Sequence, residues 1–372
     1  MDEARLKESF ARIAVYGDEV PLFFYSHLFL GHPELRDMFP ISMAHQRDRL
    51  VNALGRIVAD VSSQESLVAY LQGLGRDHRK FGTLAQHYPA VGASLLATLA
   101  HFNGAAWTQE LANDWSEAYG LIAKVMTDAA ARDELNSNPA WWDAAVVGCE
   151  RRTLDVSVLR VAPERPLPYV PGQSVAVEFE RRPRVWRFYS PANAPRADGT
   201  IDFHVRLIDG GAVSPALARR AGAGSRLRLG APVGTLALNT ASRRPLLLAG
   251  GSTGLAPLKA IAEQVAMLPD PPRTTLVFGV RWSTDLYDLP DLEKMAVECP
   301  WLTVVPAVSD EPGFHGERGT VADVVRRLPH VSAHDAYVCG SSAMVAATVG
   351  SLESLGLPEH QIHVEDYGWS ER

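Results

Sequence analysis

The sequence contains few cysteines and no long apolar run. Only three of its 372 residues are cysteine, and they lie far apart in the chain: Cys149, Cys299 and Cys339. A set that is odd in number and widely spaced makes neither a disulfide framework nor a zinc site, and it fits a reducing cytoplasm. No stretch of about 18 apolar residues occurs, so no transmembrane helix is predicted.

The sequence also lacks a cluster of basic residues. The formal net charge is −7 and the sequence has no long basic run, which disfavours nucleic acids and anionic membranes as partners. The N-terminus is acidic and amphipathic rather than a charged stub followed by an apolar stretch, so no secretory signal is predicted. We therefore expect a cytoplasmic protein, and no obligate protein partner is predicted.

The chain divides into three regions by its residue patterns. Its 372 residues are more than a single hydrophobic core typically contains. Residues 1–135 are predicted to be all-helical, because apolar residues recur three and four positions apart. Residues 136–240 contain short runs such as Val175–Phe179 and Arg226–Leu229, broken by Pro and Gly, which predicts an antiparallel barrel or sandwich. Residues 241–372 alternate strands with helices, which predicts an α/β domain with a mostly parallel sheet.

One histidine stands on the apolar face of a predicted helix. His78 continues the stripe formed by Leu67, Leu71 and Leu74. Taken alone, it is more often a buried, hydrogen-bonded core residue than a metal ligand. A ligand role requires accompanying groups, and the sequence offers these candidates: Tyr25, Phe39, Gln46, Leu50 and Tyr88.

The order and spacing of these residues resemble the globin domain of the bacterial flavohaemoglobins. The similarity runs through Phe24-Tyr25, His32-Pro33-Glu34-Leu35, Met38-Phe39, Gln46-Arg47, His78 and Tyr88. The resemblance implies an all-α globin that holds haem b, with His78 as the iron ligand and Phe39 packed on the porphyrin. It also implies that Tyr88 supports the proximal side.

On the distal side, the resemblance implies that Tyr25 and Gln46 donate hydrogen bonds to iron-bound dioxygen and that Leu50 restricts the space. Such donors stabilise dioxygen because it acquires superoxide character on iron. His45 adjoins Gln46 and is the alternative distal residue. Gln46 is preferred because it shares its helix face with Leu50, whereas the residue four after His45 is the polar Arg49.

One family residue is missing from the last globin helix. The family has a glutamate there that is linked through the proximal tyrosine to the ligating histidine, and counting eleven from Tyr119 gives Ala130 instead. A carboxylate raises the donor strength of an imidazole ligand, so its loss weakens the expectation of peroxidase-like chemistry. The acidic residues that could substitute are Asp128, Asp133 and Glu134.

The second region contains the run Arg187-Phe188-Tyr189-Ser190 and the loop Gly210–Pro215. With the turn at Tyr169–Gln173, these motifs resemble the FAD-binding half of the ferredoxin reductase superfamily, which is an antiparallel β-barrel. The alternative is a surface strand with an incidental Arg and Tyr. The resemblance implies that the Arg neutralises the pyrophosphate, the Tyr packs on the flavin and the Ser hydrogen-bonds near its reactive nitrogen. The implied FAD contacts are Arg187, Phe188, Tyr189, Ser190, Gly211, Val213 and Ser214.

The third region begins with an apolar strand that ends in the glycine turn Gly250–Pro257. A strand, a glycine turn and a helix N-terminus form a pyrophosphate site, although such a turn can also be purely structural. Val338–Met344 resembles the Cys-Gly-x-x-x-Met element that borders the nicotinamide, while the plain alternative for its cysteine is a small buried apolar residue. The predicted contacts are Gly251, Ser252, Thr253, Gly254, Ala256, Pro257 and Cys339.

The segment His363–Gly368 is similar to the terminal segment of the same family. The resemblance implies that Tyr367 covers the flavin until nicotinamide displaces it, and that Glu365 lies near the flavin–haem interface. Arg281 follows a predicted strand and could pair with a 2′-phosphate. Both NADH and NADPH therefore stay open, with NADH preferred.

Taken whole, the resemblance implies a nitric oxide dioxygenase. NAD(P)H would pass a hydride to FAD, FAD would pass single electrons to haem, and haem-bound dioxygen would convert nitric oxide to nitrate. One alternative is a haem–flavin reductase that acts on hydroperoxides or another oxidant. A second is an oxygen or redox sensor, but no output module is visible. A third is an electron donor to a separate oxygenase, against which the lack of a ferredoxin-type cysteine cluster argues.

Overall fold

The computed structural model describes residues 1–60, 64–136 and 138–365. The chain folds as two compact units: residues 1–141 form the described part of the first, and the second begins at Trp142. The predicted domain limits at residues 135 and 240 stay predictions. Among the described residues, no helix is both long enough and apolar enough to cross a membrane.

The first unit is helical, as predicted. Its described helices are α1 (Glu3–Ala14), α2 (Glu19–Gly31), α3 (Ala44–Ala59), α4 (Gln64–His78), α5 (Tyr88–Asn103) and α6 (Gln109–Leu135). Side chains cap the N-termini of α1 and α6. Asp2 accepts a hydrogen bond from the Arg5 amide at 3.1 Å, and Thr108 accepts one from the Leu111 amide at 3.3 Å. A Cβ at Gly75 would lie 2.3 Å from the Met126 carbonyl oxygen. This glycine therefore permits the close packing of α4 on α6.

The second unit begins with an antiparallel sheet. Its strands are β1 (Trp142–Arg151), β2 (Val156–Pro163), β3 (Val175–Phe179), β4 (Trp186–Tyr189), β5 (Ile201–Arg206) and β6 (Arg226–Leu229), and α7 (Ser214–Arg220) lies between the last two. The strand order is β4-β3-β6-β1-β2-β5. A further bridge between Pro191, just after β4, and Phe203 of β5 nearly closes the sheet into a barrel. Its core consists of fully buried inward-facing residues, including Val161, Phe179 and Leu229.

A parallel sheet follows. Its strands are β7 (Leu246–Gly251), β8 (Thr274–Val280), β9 (Leu302–Val308), β10 (Glu317–Arg318), β11 (Asp335–Cys339) and β12 (Ile362–Val364). Its helices are α8 (Leu255–Ala266), α9 (Leu289–Glu298), α10 (Val321–Arg327) and α11 (Ser342–Ser354). The strand order is β10-β9-β8-β7-β11-β12. The chain leaves β7 toward β8 on one side and later returns to β11 on the other, so the carboxyl ends of β7 and β11 flank a topological switch point. The predicted fold class of helical, antiparallel-barrel and α/β parts is confirmed.

Candidate functional site

Tyr25 lies in an aromatic cluster of the helical unit. Its ring centroid is 5.8 Å from that of Phe29 and 5.6 Å from that of Phe39. The Tyr25 hydroxyl donates to the Gln46 carbonyl oxygen at 3.3 Å, which is a long hydrogen bond for a hydroxyl. Burial raises the pKa of Tyr25, so the hydroxyl keeps its proton and serves as a donor.

The structure brings three further predicted haem-pocket residues to the same cluster. Leu50 and Phe39 pack against the core that contains Tyr25, and the backbone of Gln46 accepts the Tyr25 hydrogen bond. The Gln46 side chain is half-buried. The His45 side chain lies outside the described residues, so the choice of Gln46 over His45 stays a prediction.

His78 ends helix α4 with its ring oriented by its own helix. Its Nδ1 lies 2.8 Å from the Leu74 carbonyl oxygen, and because a carbonyl only accepts, Nδ1 carries the proton. Nε2 is then the nitrogen with a free lone pair, and no described residue hydrogen-bonds to it. Burial lowers the pKa of His78, which favours the neutral ring. A neutral imidazole with an orienting bond on its other nitrogen is the donor that haem iron requires.

Tyr88 begins helix α5 and packs in a core cluster with Tyr70, Leu71 and Met126. Burial raises the pKa of Tyr88 to about 12. The Tyr119 hydroxyl donates to the Tyr88 carbonyl oxygen at 2.6 Å, which ties the start of α5 to α6. The predicted supporting residue is therefore itself held in place by a second tyrosine.

The acidic residues near Ala130 are engaged elsewhere. Asp128 pairs with Lys124 at 2.9 Å on the surface, and Asp133 binds Arg79 and the Asn138 amide. Glu134 is exposed. The hydrogen-bond acceptor of the His78 Nδ1 is a neutral backbone carbonyl, so neither aspartate takes the place of the glutamate that the family has.

Tyr25, Phe39 and Leu50 belong to one core cluster, whereas Tyr88 and Leu74, the carbonyl partner of His78, belong to another. A haem ligated on one face and exposed to hydrogen-bond donors on the other requires such a division. The described residues of the helical unit therefore fit a haem, with nitrogen on the proximal side and a protonated hydroxyl on the distal side.

The predicted flavin-binding motif forms strand β4. Tyr189 packs against the barrel core, with its ring 6.4 Å from that of Phe203, and burial raises its pKa. One Arg187 guanidinium nitrogen donates to the Trp186 carbonyl oxygen at 2.9 Å, and the Phe188 side chain is half-buried.

The loop before α7 is held tightly. Gly210 has a φ of +74°, a value that favours glycine. A Cβ at Gly211 would lie 2.9 Å from the Ile208 carbonyl oxygen, and the Ser214 hydroxyl accepts from the Ile208 amide at 3.1 Å. Val213 is fully buried in the barrel core. The backbone of this loop is not covered by side chains at its glycines, so its amides fit a phosphate group.

Four polar side chains meet where the barrel and the parallel sheet adjoin. The Ser190 hydroxyl donates to Glu365 Oε1 at 3.1 Å, and the Cys339 thiol donates to Glu365 Oε2 at 3.0 Å. Ser174 also hydrogen-bonds to Glu365 Oε1, and its hydroxyl lies 3.1 Å from that of Ser190. We call Ser174, Ser190, Cys339 and Glu365 the carboxylate cluster.

Three members of this cluster, Ser190, Cys339 and Glu365, lie in motifs that predicted cofactor contacts, whereas Ser174 was not predicted. A signal existed, because Ser174 directly follows the quoted turn Tyr169–Gln173, and a hairpin register of β3 on β4 puts it opposite Ser190. Tyr367, the predicted flavin cover, lies outside the described residues.

The two predicted nicotinamide motifs lie side by side at the switch point. Gly250 of β7 pairs with Cys339 of β11. A Cβ at Gly254 would lie 2.4 Å from the Cys339 carbonyl oxygen, and one at Gly251 would lie 2.9 Å from the Met344 terminal methyl. Glycine is thus required for the two motifs to approach each other.

The remaining residues of this turn follow the predicted strand–turn–helix pattern. Ser252 has a φ of +51°, a strained value for a non-glycine residue. Thr253 continues the turn, while Ala256 and Pro257 are buried in the first turn of α8. The backbone amides that lead into α8 fit a pyrophosphate. Arg281 follows β8 with 79% of its side chain exposed, 4.0 Å from Asp310.

Three family models match the chain in succession. A globin model matches residues 22–126, an oxidoreductase FAD-binding domain matches residues 145–238, and an oxidoreductase NAD-binding domain matches residues 247–350. The order agrees with the helical, barrel and parallel-sheet parts of the structure.

The relatives differ in how much of this chain they match. A flavohemoprotein of Rhizobium meliloti (strain 1021) is 28% identical, and the match covers 96% of this chain and 94% of that protein. The ferredoxin–NAD(P)+ reductase component of a Pseudomonas putida naphthalene 1,2-dioxygenase system is 35% identical over 64% of this chain and 74% of its own length. The crystal structure of flavohemoglobin from Malassezia yamatoensis with bound FAD and heme has the same fold, with a TM-score of 0.79 at 20% identity, covering 97% of this chain and 98% of that one.

These observations define an NAD(P)H-dependent oxidoreductase that joins a globin domain to FAD- and NAD-binding domains. The chain has the domain combination of the flavohaemoglobins and is similar to flavohemoproteins over 95–96% of its length. Its cofactors are haem, FAD and NAD(P)H, and its small-molecule ligands include dioxygen.

Proposed function

We propose that the protein is an NAD(P)H-dependent nitric oxide dioxygenase. In the balanced reaction, two nitric oxide and two dioxygen molecules with one NADH give two nitrate ions, one NAD+ and one proton. The observation that carries the proposal is the pairing, in one helical unit, of a neutral His78 with a free Nε2 and a buried, protonated Tyr25 hydroxyl. This donor set suits an oxygen-binding haem rather than an electron-transfer haem with both axial positions filled.

When bound, haem supplies the oxygen-binding iron, and FAD converts the electron pair of NAD(P)H into single electrons. The protein residues hold and orient these groups. The Leu74 carbonyl keeps the proton on Nδ1 of His78 and thereby directs Nε2 to the iron. The long bond from Tyr25 to the Gln46 carbonyl leaves the hydroxyl able to turn toward an anionic oxygen, for which it is a strong donor.

In the second unit, Arg187, Tyr189 and the loop through Gly211 are proposed to hold FAD, and the turn through Gly254 to hold NAD(P)H. NADH is the proposed donor, because the Asp310 carboxylate beside Arg281 would repel a 2′-phosphate. Comparing kcat/KM for NADH and NADPH tests this preference, and a higher value with NADPH would overturn it.

The test of the main proposal uses purified protein loaded with haem and FAD. Without oxygen, NADH should bleach the flavin and shift the Soret band to that of ferrous haem. With oxygen, nitric oxide should disappear at two molecules per NADH consumed, with an equal yield of nitrate. Reduction of both groups without consumption of nitric oxide would reject the dioxygenase and leave a haem–flavin reductase.

The hydroperoxide-reducing alternative receives less support. Peroxide cleavage benefits from a strongly donating proximal imidazole, as a carboxylate partner provides, whereas His78 donates to a neutral carbonyl. NADH-dependent turnover with alkyl hydroperoxides should therefore be much slower than turnover with nitric oxide.

A second candidate is electron donation to a separate acceptor protein. The observation that favours it is the 35% identity to a dioxygenase reductase component over 64% of this chain, which exceeds the 28% identity to a flavohemoprotein over 96% of this chain. The three cysteines of the chain are too few to bind a two-iron cluster through four thiolates, so such a ferredoxin would be external. Faster NADH-dependent reduction of an added two-iron ferredoxin than of the protein's own haem would favour this candidate.

A further inference from the structure

Glu365 reaches the carboxylate cluster from the edge of the parallel sheet. It follows β12, whose neighbour β11 ends at Cys339. Its two carboxylate oxygens bind different donors. Oε2 accepts a hydrogen bond from the Cys339 thiol, and Oε1 accepts one from the Ser190 hydroxyl. The orientation of the Glu365 carboxylate therefore depends on the hydrogen-bond donors that hold each of its two oxygens.

Ser174 is the best-anchored member of the cluster. Its amide donates to the Val233 carbonyl oxygen at 2.7 Å, and its carbonyl oxygen accepts from the Val233 amide at 2.9 Å. The preceding turn is equally constrained, since Gly172 has a φ of +95° and a Cβ there would lie 1.6 Å from the Leu236 carbonyl oxygen. The backbone of Ser174 therefore has little freedom, and its side chain is 4% exposed.

The strand register brings Ser174 to Ser190. Val175 pairs with Tyr189 across the antiparallel strands β3 and β4, so the residue before Val175 faces the residue after Tyr189. The two hydroxyls lie 3.1 Å apart, and both bond to Oε1 of Glu365. One carboxylate oxygen thus has two hydroxyl donors on adjacent strands of the barrel.

We infer that Ser174 is a positioning residue that fixes the Glu365 carboxylate between the Ser190 hydroxyl and the Cys339 thiol, at the predicted contact of flavin and nicotinamide. This inference rests on the hydride step of the proposed function and on none of its haem chemistry. Ser174 acts through Glu365. Without its hydroxyl, Oε1 loses one of the two serine donors that hold it, and the carboxyl plane is fixed less firmly against the thiol.

The first measurement is anaerobic rapid mixing of the FAD-loaded full chain with NADH, followed as flavin bleaching. Ser174→Ala should lower the limiting rate constant about tenfold, the loss expected for one hydrogen bond to a charged group, while the apparent NADH Kd stays within about twofold. Ser174→Thr keeps the hydroxyl and should recover most of the rate. The matched control is Ser157→Ala, which removes a buried serine hydroxyl of the same barrel whose hydrogen bond is to the Ala218 carbonyl oxygen.

A double-mutant cycle with Glu365→Gln separates positioning from packing. If Ser174 acts through the carboxylate, Ser174→Ala should add almost no loss in the Glu365→Gln background, because coupled residues are not additive. Losses that multiply, or a Ser174→Ala rate equal to that of Ser157→Ala, would overturn the inference. If Ser174→Ala fails to retain FAD, Ser174→Cys, which is close in size and a weaker donor, carries the same test.

A second readout is independent of turnover. The infrared S–H stretch of Cys339, assigned by its loss in Cys339→Ser, reports the thiol hydrogen bond to Glu365. It should shift toward a weaker bond in Ser174→Ala and stay unchanged in Ser157→Ala, whereas an unchanged band in Ser174→Ala would contradict the inference. Because flavin bleaching and this band need neither haem nor nitric oxide, both results stand if the dioxygenase proposal fails.

Discussion

The two units hold their polar site residues in different ways. In the helical unit, the key side chains bond to backbone carbonyls: His78 to Leu74, Tyr25 to Gln46 and Tyr119 to Tyr88. In the second unit, side chains bond to side chains far away in sequence, as Glu365 does to Ser190 and Cys339.

The difference follows from the secondary structure. A helix satisfies its own amides internally, and its carbonyls can accept a further bond, so an anchor is available within one turn, as for His78. At the ends of strands, side chains from separate strands converge and become each other's partners. Substitutions in the helical unit should therefore act singly, while those in the second unit should be coupled.

The largest effect is expected for His78→Ala, which removes the proposed iron ligand. Haem incorporation and consumption of nitric oxide should be lost, while NADH should still bleach the flavin at an unchanged rate, because His78 belongs to the first unit and the carboxylate cluster to the second. Absorbance spectra measure haem incorporation, and rapid mixing with NADH measures flavin bleaching. The control is His32→Ala, an exposed histidine. Retention of a normal Soret band in His78→Ala would reject this residue as the ligand.

Tyr25→Phe should have the next largest effect. Removing one donor aimed at a developing or bound oxyanion typically lowers a rate about 100-fold, so consumption of nitric oxide should fall by that order while haem content and flavin bleaching persist. Tyr16→Phe removes the hydroxyl of an exposed tyrosine in the same unit and should be silent. Equal turnover by both variants would contradict the distal role of Tyr25.

His204 predicts that the second unit is sensitive to acid. Its ring is buried and lies 2.8 Å from the Tyr287 hydroxyl, and burial lowers its pKa to about 3. Below the unfolded pKa of about 6.5, His204 binds a proton in the unfolded chain but stays neutral in the folded protein. The free energy of unfolding therefore falls as the pH decreases. This contribution amounts to about 3 kcal/mol between pH 6.5 and pH 4.

His204→Asn should remove that part of the pH dependence, measured as the free energy of unfolding in denaturant at pH 7 and pH 4. Tyr287→Phe loses the partner hydroxyl but keeps the titrating ring, so it should remain as acid-sensitive as the unsubstituted protein. An identical loss of stability on acidification in the Asn variant and the unsubstituted protein would contradict the prediction.

The smallest effect is expected for Tyr119→Phe. The variant loses one neutral hydrogen bond to the Tyr88 carbonyl, which should lower the free energy of unfolding of the helical unit by about 1 kcal/mol. NADH-dependent flavin bleaching should not change. A large loss of haem affinity would show that Tyr119 supports the proximal side more directly than a single anchor does.

Strands with a regular apolar or alternating pattern were predictable, and those without one were not. Val175–Phe179 and Arg226–Leu229 coincide with β3 and β6, because every second residue or more is buried. The second half of β1 is exposed and charged at Glu150 and Arg151, and a register shift interrupts it between Val146 and Gly148. Pattern alone therefore could not define that strand.

The sequence by itself determined the classes of the three parts and the local motifs, because helical periodicity, strand runs and glycine turns are encoded within about ten consecutive residues. It also singled out His78, Ser190 and Cys339 as residue types in the right local setting. Only the tertiary structure decided the partners of Ser190 and Cys339. Ser174 and Glu365 are 191 positions apart, and their meeting depends on the β3–β4 register and on the order of strands at the switch point, which no local pattern specifies.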